Sequence, residues 1–384
     1  MVQTIGVIGG GQLGRMFTLD AKRMGFDVIA LDPQPHSPCG QVADEQIVAS
    51  YDDFAAIDEL GQRTDVVTYE FENIAVASVQ RLEQHGYRVT PASTVLAVTQ
   101  HRVLEKQFLE EHGIAVAPFA PVRNDAELRS ACEQIGFPAV LKTVRGGYDG
   151  KGQWRLDNTQ QMQTILHEAN GADLIYERFI SFDREISVIC TRGADGACVT
   201  YPASENIHDA GILATSIVPA RVPEPVDGRA REIAIEVAAG LGIVGTFCVE
   251  FFVCADGKLL VNEIAPRPHN SGHYTIDATQ CSQYEQHVRA ICGLPLSPPF
   301  LLRNAVMMNI LGMGTGDHLD GVAQLLADPS IVLHMYGKRH APVRRKMGHF
   351  TMLVDGPVGE AQIERARRAL DLLDWVSATS KAAC

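Results

Sequence analysis

The chain has nine cysteines in 384 residues but no C-x-x-C pair among them. They stand at irregular spacing, several inside apolar runs such as Thr246-Phe-Cys-Val. An odd, scattered set excludes a disulfide framework and a zinc knuckle, and reads as reduced, mostly buried thiols. No basic-then-apolar leader opens the sequence, and no apolar run approaches the ~20 residues that span a bilayer. A cytoplasmic protein is the expectation. Positive charge is also short, with 33 Lys and Arg against 46 Asp and Glu and a net charge of −13. That balance excludes a general nucleic-acid or anionic-membrane binder and makes any local cluster of Lys and Arg informative. Internal repeats and low-complexity tracts are absent.

What is present points to a soluble chain too long for one ordinary core. Up to about residue 100, short β-rich runs (Ile5–Ile8, Val28–Leu31, Val66–Tyr69, Arg88–Thr90) alternate with helical patterns, the signature of a parallel α/β sheet. A helix over Arg102–His112 then stops at Gly113. From there the strands come in hairpins, Glu185–Thr191 with Ala197–Tyr201 and Thr246–Cys254 with Lys258–Ile264, around helices such as Asp227–Ala239. The Pro-rich stretch Leu294–Phe300 leads into a last region. The expected domains are 1–100, 101–295 and 296–384.

Gly9, Gly11 and Gly14 satisfy G-x-G-x-x-G after an apolar run, and Asp32 ends the next run where an acid would hold a ribose. Alone, this favours a dinucleotide-binding oxidoreductase.

The stretch Gly245–Ile264 speaks for different chemistry. Asp256-Gly257 between two β-rich runs is a two-residue hairpin signal. With that turn, Glu250 falls directly across from Glu263 on one face, Cβ atoms about 4.5–5.5 Å apart. Two opposed carboxylates among apolar neighbours need a cation between them, and oxygen-only ligands favour Mg²⁺, with Mn²⁺ as the alternative. Upstream, Phe137-Pro-Ala-Val-Leu-Lys142 is a strand ending in lysine that enters a loop with four glycines between 146 and 152. Such a loop presents N–H groups to anions and folds down as a lid, with Lys142 and Lys151 adding charge for phosphates. Leu174–Ile186 suits an adenine slot, with Glu185 accepting from ribose hydroxyls.

These parts occur in the order and spacing of the ATP-grasp superfamily. Five motifs sharpen the resemblance: Gly9-Gly-Gly-Gln-Leu-Gly-Arg-Met16, Thr68-Tyr-Glu-Phe-Glu-Asn-Ile74, Arg145-Gly-Gly-Tyr-Asp-Gly-Lys-Gly-Gln153, Asn262-Glu-Ile-Ala-Pro-Arg-Pro-His-Asn-Ser-Gly-His273 and Arg345-Lys-Met-Gly-His349. Together they resemble the 5-(carboxyamino)imidazole ribonucleotide synthases, ligases that join bicarbonate to 5-aminoimidazole ribonucleotide (the ribotide below) at the expense of ATP, through carboxyphosphate, in purine biosynthesis. The resemblance implies an ATP-grasp fold with an N-terminal Rossmann-like domain and a small C-terminal domain, and a homodimer. It implies ATP contacts at Arg102, Lys142, Gly147, Tyr148, Asp149, Gly150, Lys151, Gly152, Gln153, Glu177, Arg178, Phe179, Ile180, Glu185, His208, Asn262 and Glu263. Glu250 and Glu263 would hold Mg²⁺. Tyr148, Asp149, Lys151, Arg267 and Lys338 would face the reacting groups, Asp149 positioning the amine or taking its proton. Gly11, Gln12, Leu13, Glu72, Asn73, Arg267, Ser271, Lys338, Arg345 and Lys346 would bind the ribotide, so the glycine loop would serve this substrate and no nicotinamide. Asp32 is then a strand-end residue making local hydrogen bonds.

Two places depart from the family pattern, His101 where Asp is common and Pro342-Val-Arg344 in place of Arg-Pro-Gly before Arg345; Ala265, where many ATP-grasp enzymes have a metal ligand, is a loss that the ribotide branch shares. The neighbouring reading is a formate-dependent glycinamide ribotide transformylase. A catalytically silent ATP sensor would bind nucleotide and turn nothing over.

Overall fold

The computed structural model describes residues 2–146, 152–169 and 171–377. Four short runs rich in β-branched and apolar residues become β1 (Thr4–Ile8), β2 (Asp27–Leu31), β3 (Glu45–Ile47) and β4 (Val66–Tyr69). They form a parallel sheet in the order β3-β2-β1-β4. Successive residues of β1 face opposite sides, so Ile5 and Val7 pack on Leu13, Met16 and Phe17 while Ile8 packs with Ile57 and Leu60. The run Arg88–Thr90 makes only a parallel bridge, Val89 to Val67. Pro91 follows at once and has no N–H with which to extend a ladder.

Two antiparallel sheets follow, and both expected hairpins lie in the larger one. A four-stranded sheet is built from β5 (Phe119–Val122), β6 (Ala139–Thr143), β7 (Gln153–Leu156) and β8 (Leu174–Arg178), in the order β5-β8-β6-β7. The larger sheet takes β9 (Arg184–Arg192), β10 (Cys198–Thr200), β11 (Ser204–Asp209), β12 (Ile212–Val218), β13 (Gly245–Val253) and β14 (Leu259–Ala265). It continues with β15 (Asn304–Leu311), β17 (Ile331–Met335) and β18 (Lys346–Val354), while β16 (His318–Asp320) and β19 (Asp374–Val376) make a separate ribbon. The order is β14-β13-β9-β11-β12-β15-β18-β17, with β10 on β9. The strands after the Pro-rich stretch thus continue the preceding sheet through the β12–β15 ladder.

Helix Glu224–Leu241 covers β9 and β13 with Ala230, Ile233, Ala234 and Val237 against Val188, Phe247 and Val249. It has Pro225 in its first turn and ends at Gly242, whose φ of +64° suits a left-handed helix stop. The face of this frame left open, between the two antiparallel sheets and the last strand of the parallel one, is the cleft.

Candidate functional site

The glycine loop opens helix Gln12–Arg23, which has no acidic residue in its first turn and no side-chain cap. Its free N–H groups still have partners. Glu70, at the end of β4, accepts from Gly11 and, at 2.7 Å, from Gly14. Asp32 accepts from Gly10 at 2.7 Å and from the Tyr51 hydroxyl at 2.5 Å. The positive end of the helix, where a cofactor pyrophosphate binds in a dinucleotide fold, is therefore filled by the protein's own carboxylate. A Cβ on Gly11 would lie 2.3 Å from Glu70 Oε1, so glycine is needed for this closure. The Gly11 N–H is thus committed to Glu70. Asp32 is a strand-end residue with local bonds, as expected.

The β13–β14 hairpin brings Glu250 opposite Glu263. The route differs from the two-residue turn expected. Cys254 donates to the Lys258 carbonyl at 2.9 Å and Gly257 to that of Cys254 at 2.8 Å, closing a three-residue loop with Gly257 at φ +80°. The first pairs are Val253 with Leu259 and Phe251 with Val261, and a bulge before Glu250 restores the register. Asn262 is the extra residue. The bulge lets successive residues Asn262 and Glu263 both line the cleft, which a regular strand would send to opposite faces.

Burial, then the facing Glu263, push the Glu250 carboxyl up to about 8. Arg102 donates to Glu263 Oε2 at 3.2 Å, and His269 Nε2 lies 3.2 Å from Glu250 Oε1. Burial holds His269 well below the usual imidazole range, so it is neutral. Asn262 Oδ1 is buried without a partner. Two carboxylates and a free amide oxygen fit a hard divalent cation that takes its remaining ligands from phosphates and water. No cluster of three His, Cys, Asp or Glu able to hold a metal occurs among the described residues, so a closed all-protein cage is not built here.

Lys142, on β6, donates to Glu177 on β8 at 2.9 Å, and Lys106 stands 3.6 Å from the same oxygen. Burial raises the Glu177 carboxyl, but the two lysines outweigh it and hold it at about 2. His208 Nδ1 meets the Glu185 carboxylate, which keeps its imidazole raised although burial acts the other way. Phe182 and Phe252 stack at 4.7 Å beside them.

On the opposite wall Arg267 forks onto Glu72, one arm at 3.0 Å; burial acts to raise the Glu72 carboxyl, but Arg267 outweighs it and holds it below its ordinary range. Lys338 Nζ donates to Gln12 Oε1 at 2.8 Å and to the Lys346 carbonyl at 2.6 Å.

One cavity of about 510 Å³ unites these groups, in the range of small-molecule sites. Gln12, Leu13, Glu72, Asn73, Arg102, Lys142, Gln153, Glu177, Arg178, Phe179, Ile180, Glu185, His208, Glu250, Asn262, Glu263, Arg267 and Lys346 all line it. Gly11, Gly152, Ser271, Lys338 and Arg345 do not. Ser271 is fully buried, its hydroxyl bonded by Ser187 at 2.7 Å and set 2.9 Å from His269 Nδ1, so it braces His269 and cannot touch a ribotide. Lys338 sits one residue back, behind Gln12. Arg344, at φ +67°, donates from its guanidinium to the carbonyls of Asp209 and Ala210 and does not line the cavity. His101 caps helix Arg102–Glu111 through Nδ1, 3.3 Å from the Leu104 N–H, which is the task an Asp performs at such a position. Gly147, Tyr148, Asp149, Gly150 and Lys151 lie outside the described residues.

Sequence reasoning missed His269, although it stands in the quoted Arg267-Pro-His269 run, and it missed Glu105 and Lys106. Their signal was helical spacing from Arg102, three and four residues on, which puts all three on one face.

Three family descriptions match the chain: the ribonucleotide synthetase preATP-grasp domain over residues 2–100, the ATP-grasp domain over 107–284 and the phosphoribosylaminoimidazole carboxylase C-terminal domain over 305–358. The N5-carboxyaminoimidazole ribonucleotide synthase of Bacillus subtilis (strain 168) is 45% identical over 353 residues, covering 91% of each chain. A crystal structure of the ADP complex of an N5-carboxyaminoimidazole ribonucleotide synthetase is similar with a TM-score of 0.91 at 46% identity, covering 96% of both chains. The Aspergillus clavatus synthase in complex with ADP and 5-aminoimidazole ribonucleotide gives 0.89 at 30% identity, over 96% of this chain and 98% of that one.

Proposed function

Since the chain belongs to the N5-carboxyaminoimidazole ribonucleotide synthase family of ATP-grasp ligases, we propose an assignment of its cleft to the steps of that reaction. The enzyme carboxylates 5-aminoimidazole ribonucleotide with bicarbonate, using ATP, in purine biosynthesis. Two chemically different walls in one cavity support the assignment: an acidic pair with buried lysines on one side, an Arg–Glu fork with Gln12 and Lys346 on the other.

On the first wall Glu185 and His208 hold the ribose end and Phe182, Phe252 and the Glu177–Ile180 segment the adenine. Lys142 reaches the phosphates, and Glu250, Glu263 and Asn262 hold Mg²⁺, which supplies charge neutralisation to the phosphate oxygens when bound. A bicarbonate oxygen attacks the γ-phosphorus, the bond to the bridging oxygen breaks, and ADP leaves. The exocyclic amine of the ribotide then attacks the carbonyl carbon of carboxyphosphate, phosphate departs with the bond pair, and the amine loses one proton. Arg267, held rigid by Glu72, faces the carboxyl oxygens, while neutral His269, braced by Ser271, stands against Glu250. The stretch 147–151 carries Tyr148, Asp149 and Lys151, whose roles at the amine and phosphates rest on the family motif. A homodimer in the cytoplasm fits the same family, and no helix among the described residues is long and apolar enough to cross a membrane.

The test is ADP release with bicarbonate, with and without the ribotide. Strong stimulation by the ribotide is expected and none by NADPH; stimulation by formate plus glycinamide ribotide would move the enzyme to the neighbouring transformylase.

A further inference from the structure

Helix Arg102–Glu111 carries two charged residues that are almost wholly buried beside the cleft, Glu105 at its lining and Lys106 behind it. Glu105 is 2% and Lys106 1% exposed, a burial such groups rarely tolerate without specific partners. Their partners are three successive residues of β14. Arg102 binds the carboxylate of Glu263, Glu105 Oε1 accepts the backbone N–H of Ile264 at 2.7 Å, and Lys106 Nζ reaches the backbone carbonyl of Asn262 at 3.5 Å.

These are the residues at and beside the bulge on β14, the edge strand of the sheet, whose outward backbone groups find their partners beyond it. Lys106 also faces Glu177, which in turn holds Lys142. One turn of helix therefore touches the nucleotide side of the cleft at two places, the bulged strand and the β6–β8 lysine.

We propose that Glu105 and Lys106 are positioning residues that fix the bulge at Asn262-Glu263, and so set the geometry with which the cleft takes the metal–nucleotide complex. The inference rests on the assignment of Asn262 and Glu263 to that complex. An α-helical i, i+3, i+4 face does here what a second layer of hydrogen bonds does around metal ligands, orienting groups that it does not itself replace.

The substitutions Glu105→Met and Lys106→Met keep side-chain length and remove the acceptor or the donor. Glu105→Gln keeps an acceptor for Ile264. Binding of ATP with Mg²⁺, and of the ribotide, is measured for each by titration calorimetry, independently of turnover. Both Met variants are expected to weaken ATP binding in the presence of Mg²⁺ by about 10–100-fold, the range for groups that orient metal ligands. Ribotide affinity should stay within about twofold and Glu105→Gln should retain most of the parent's ATP affinity. Should the Met variants fail to fold, Lys106→Gln, uncharged and too short to span the 3.5 Å to the Asn262 carbonyl, is the polar substitute, and a selective loss for ATP is expected of it as well. Unchanged ATP affinity in folded variants, or equal losses for ATP and ribotide, would overturn the positioning role. A parent enzyme that binds ATP no better with Mg²⁺ than without would instead overturn the metal assignment on which the role rests.

Discussion

Glu250 and Glu263 face each other across one hairpin with Arg102 and His269 beside them. Gln at either position removes a negative ligand and relieves like-charge repulsion, so activity and stability should separate. Glu250→Gln and Glu263→Gln are each expected to lower ADP release by orders of magnitude while the thermal midpoint holds or rises, a pairing read by a coupled assay and by calorimetry. Near-normal turnover at limiting Mg²⁺ would remove the pair from the metal site. Lys338 belongs to the other wall, in a run from Tyr336 to His349 that holds five Lys and Arg and no acid. Its ammonium is 2.8 Å from Gln12, which lines the cavity. Lys338→Ala should weaken ribotide binding by roughly 10–150-fold, the equivalent of one charge-assisted bond, and leave ATP affinity nearly unchanged. Arg345→Ala, off the cavity lining like Lys338 but without its bond to Gln12, should cost less in the same titration.

Among the elements, helix Phe54–Arg63 offers a clean stability test because it lies away from the cleft. Asp53 caps it, accepting from the Ala55 and Ala56 N–H groups at 3.0 and 3.2 Å. Asp53→Ala should cost about 0.5–2 kcal/mol in urea unfolding with kcat and both KM values unchanged. The hairpin β13–β14 shows how an element can meet expectation by another route. Asp256-Gly257 marked the turn, but the sequence pattern does not distinguish a two-residue loop from a three-residue loop followed by a compensating bulge. Both put Glu250 across from Glu263; only the second also turns Asn262 into the cleft. The glycine loop was legible as a strand–loop–helix unit for the same local reason. What fills its N–H groups was not, because Glu70 arrives from a strand 56 or more residues on.

At the scale of the molecule, three fully buried histidines set an acid limit. Burial holds His287 at about 3, and holds His273 and His349 well below their ordinary range. The unfolded chain takes up protons at these sites below about pH 6.5 while the folded one does not. Stability should therefore be full above that value and fall as pH drops toward 3, by up to about 1.4 kcal/mol per pH unit for each histidine. Urea midpoints across pH 7 to 4 test this, and His287→Gln should flatten the slope; a slope no shallower than the parent's would assign the acid loss to other groups.

The sequence by itself determined the local structure and the chemistry it carries: the parallel α/β start, the hairpins, the lysine-ended strand, the opposed glutamates and the family to which the motifs belong. These signals are periodicity, turn residues and short spacing, all carried by neighbours along the chain. Only the tertiary structure decided which partners meet. It placed Glu70 in the anion site of the glycine loop, joined β15 to β12, and set Ser271 behind His269 and not in the cleft. It also brought Glu105 to the N–H of Ile264, 159 residues away. A buried charge finds its partner through long-range packing, and no local pattern specifies which distant backbone group will need it.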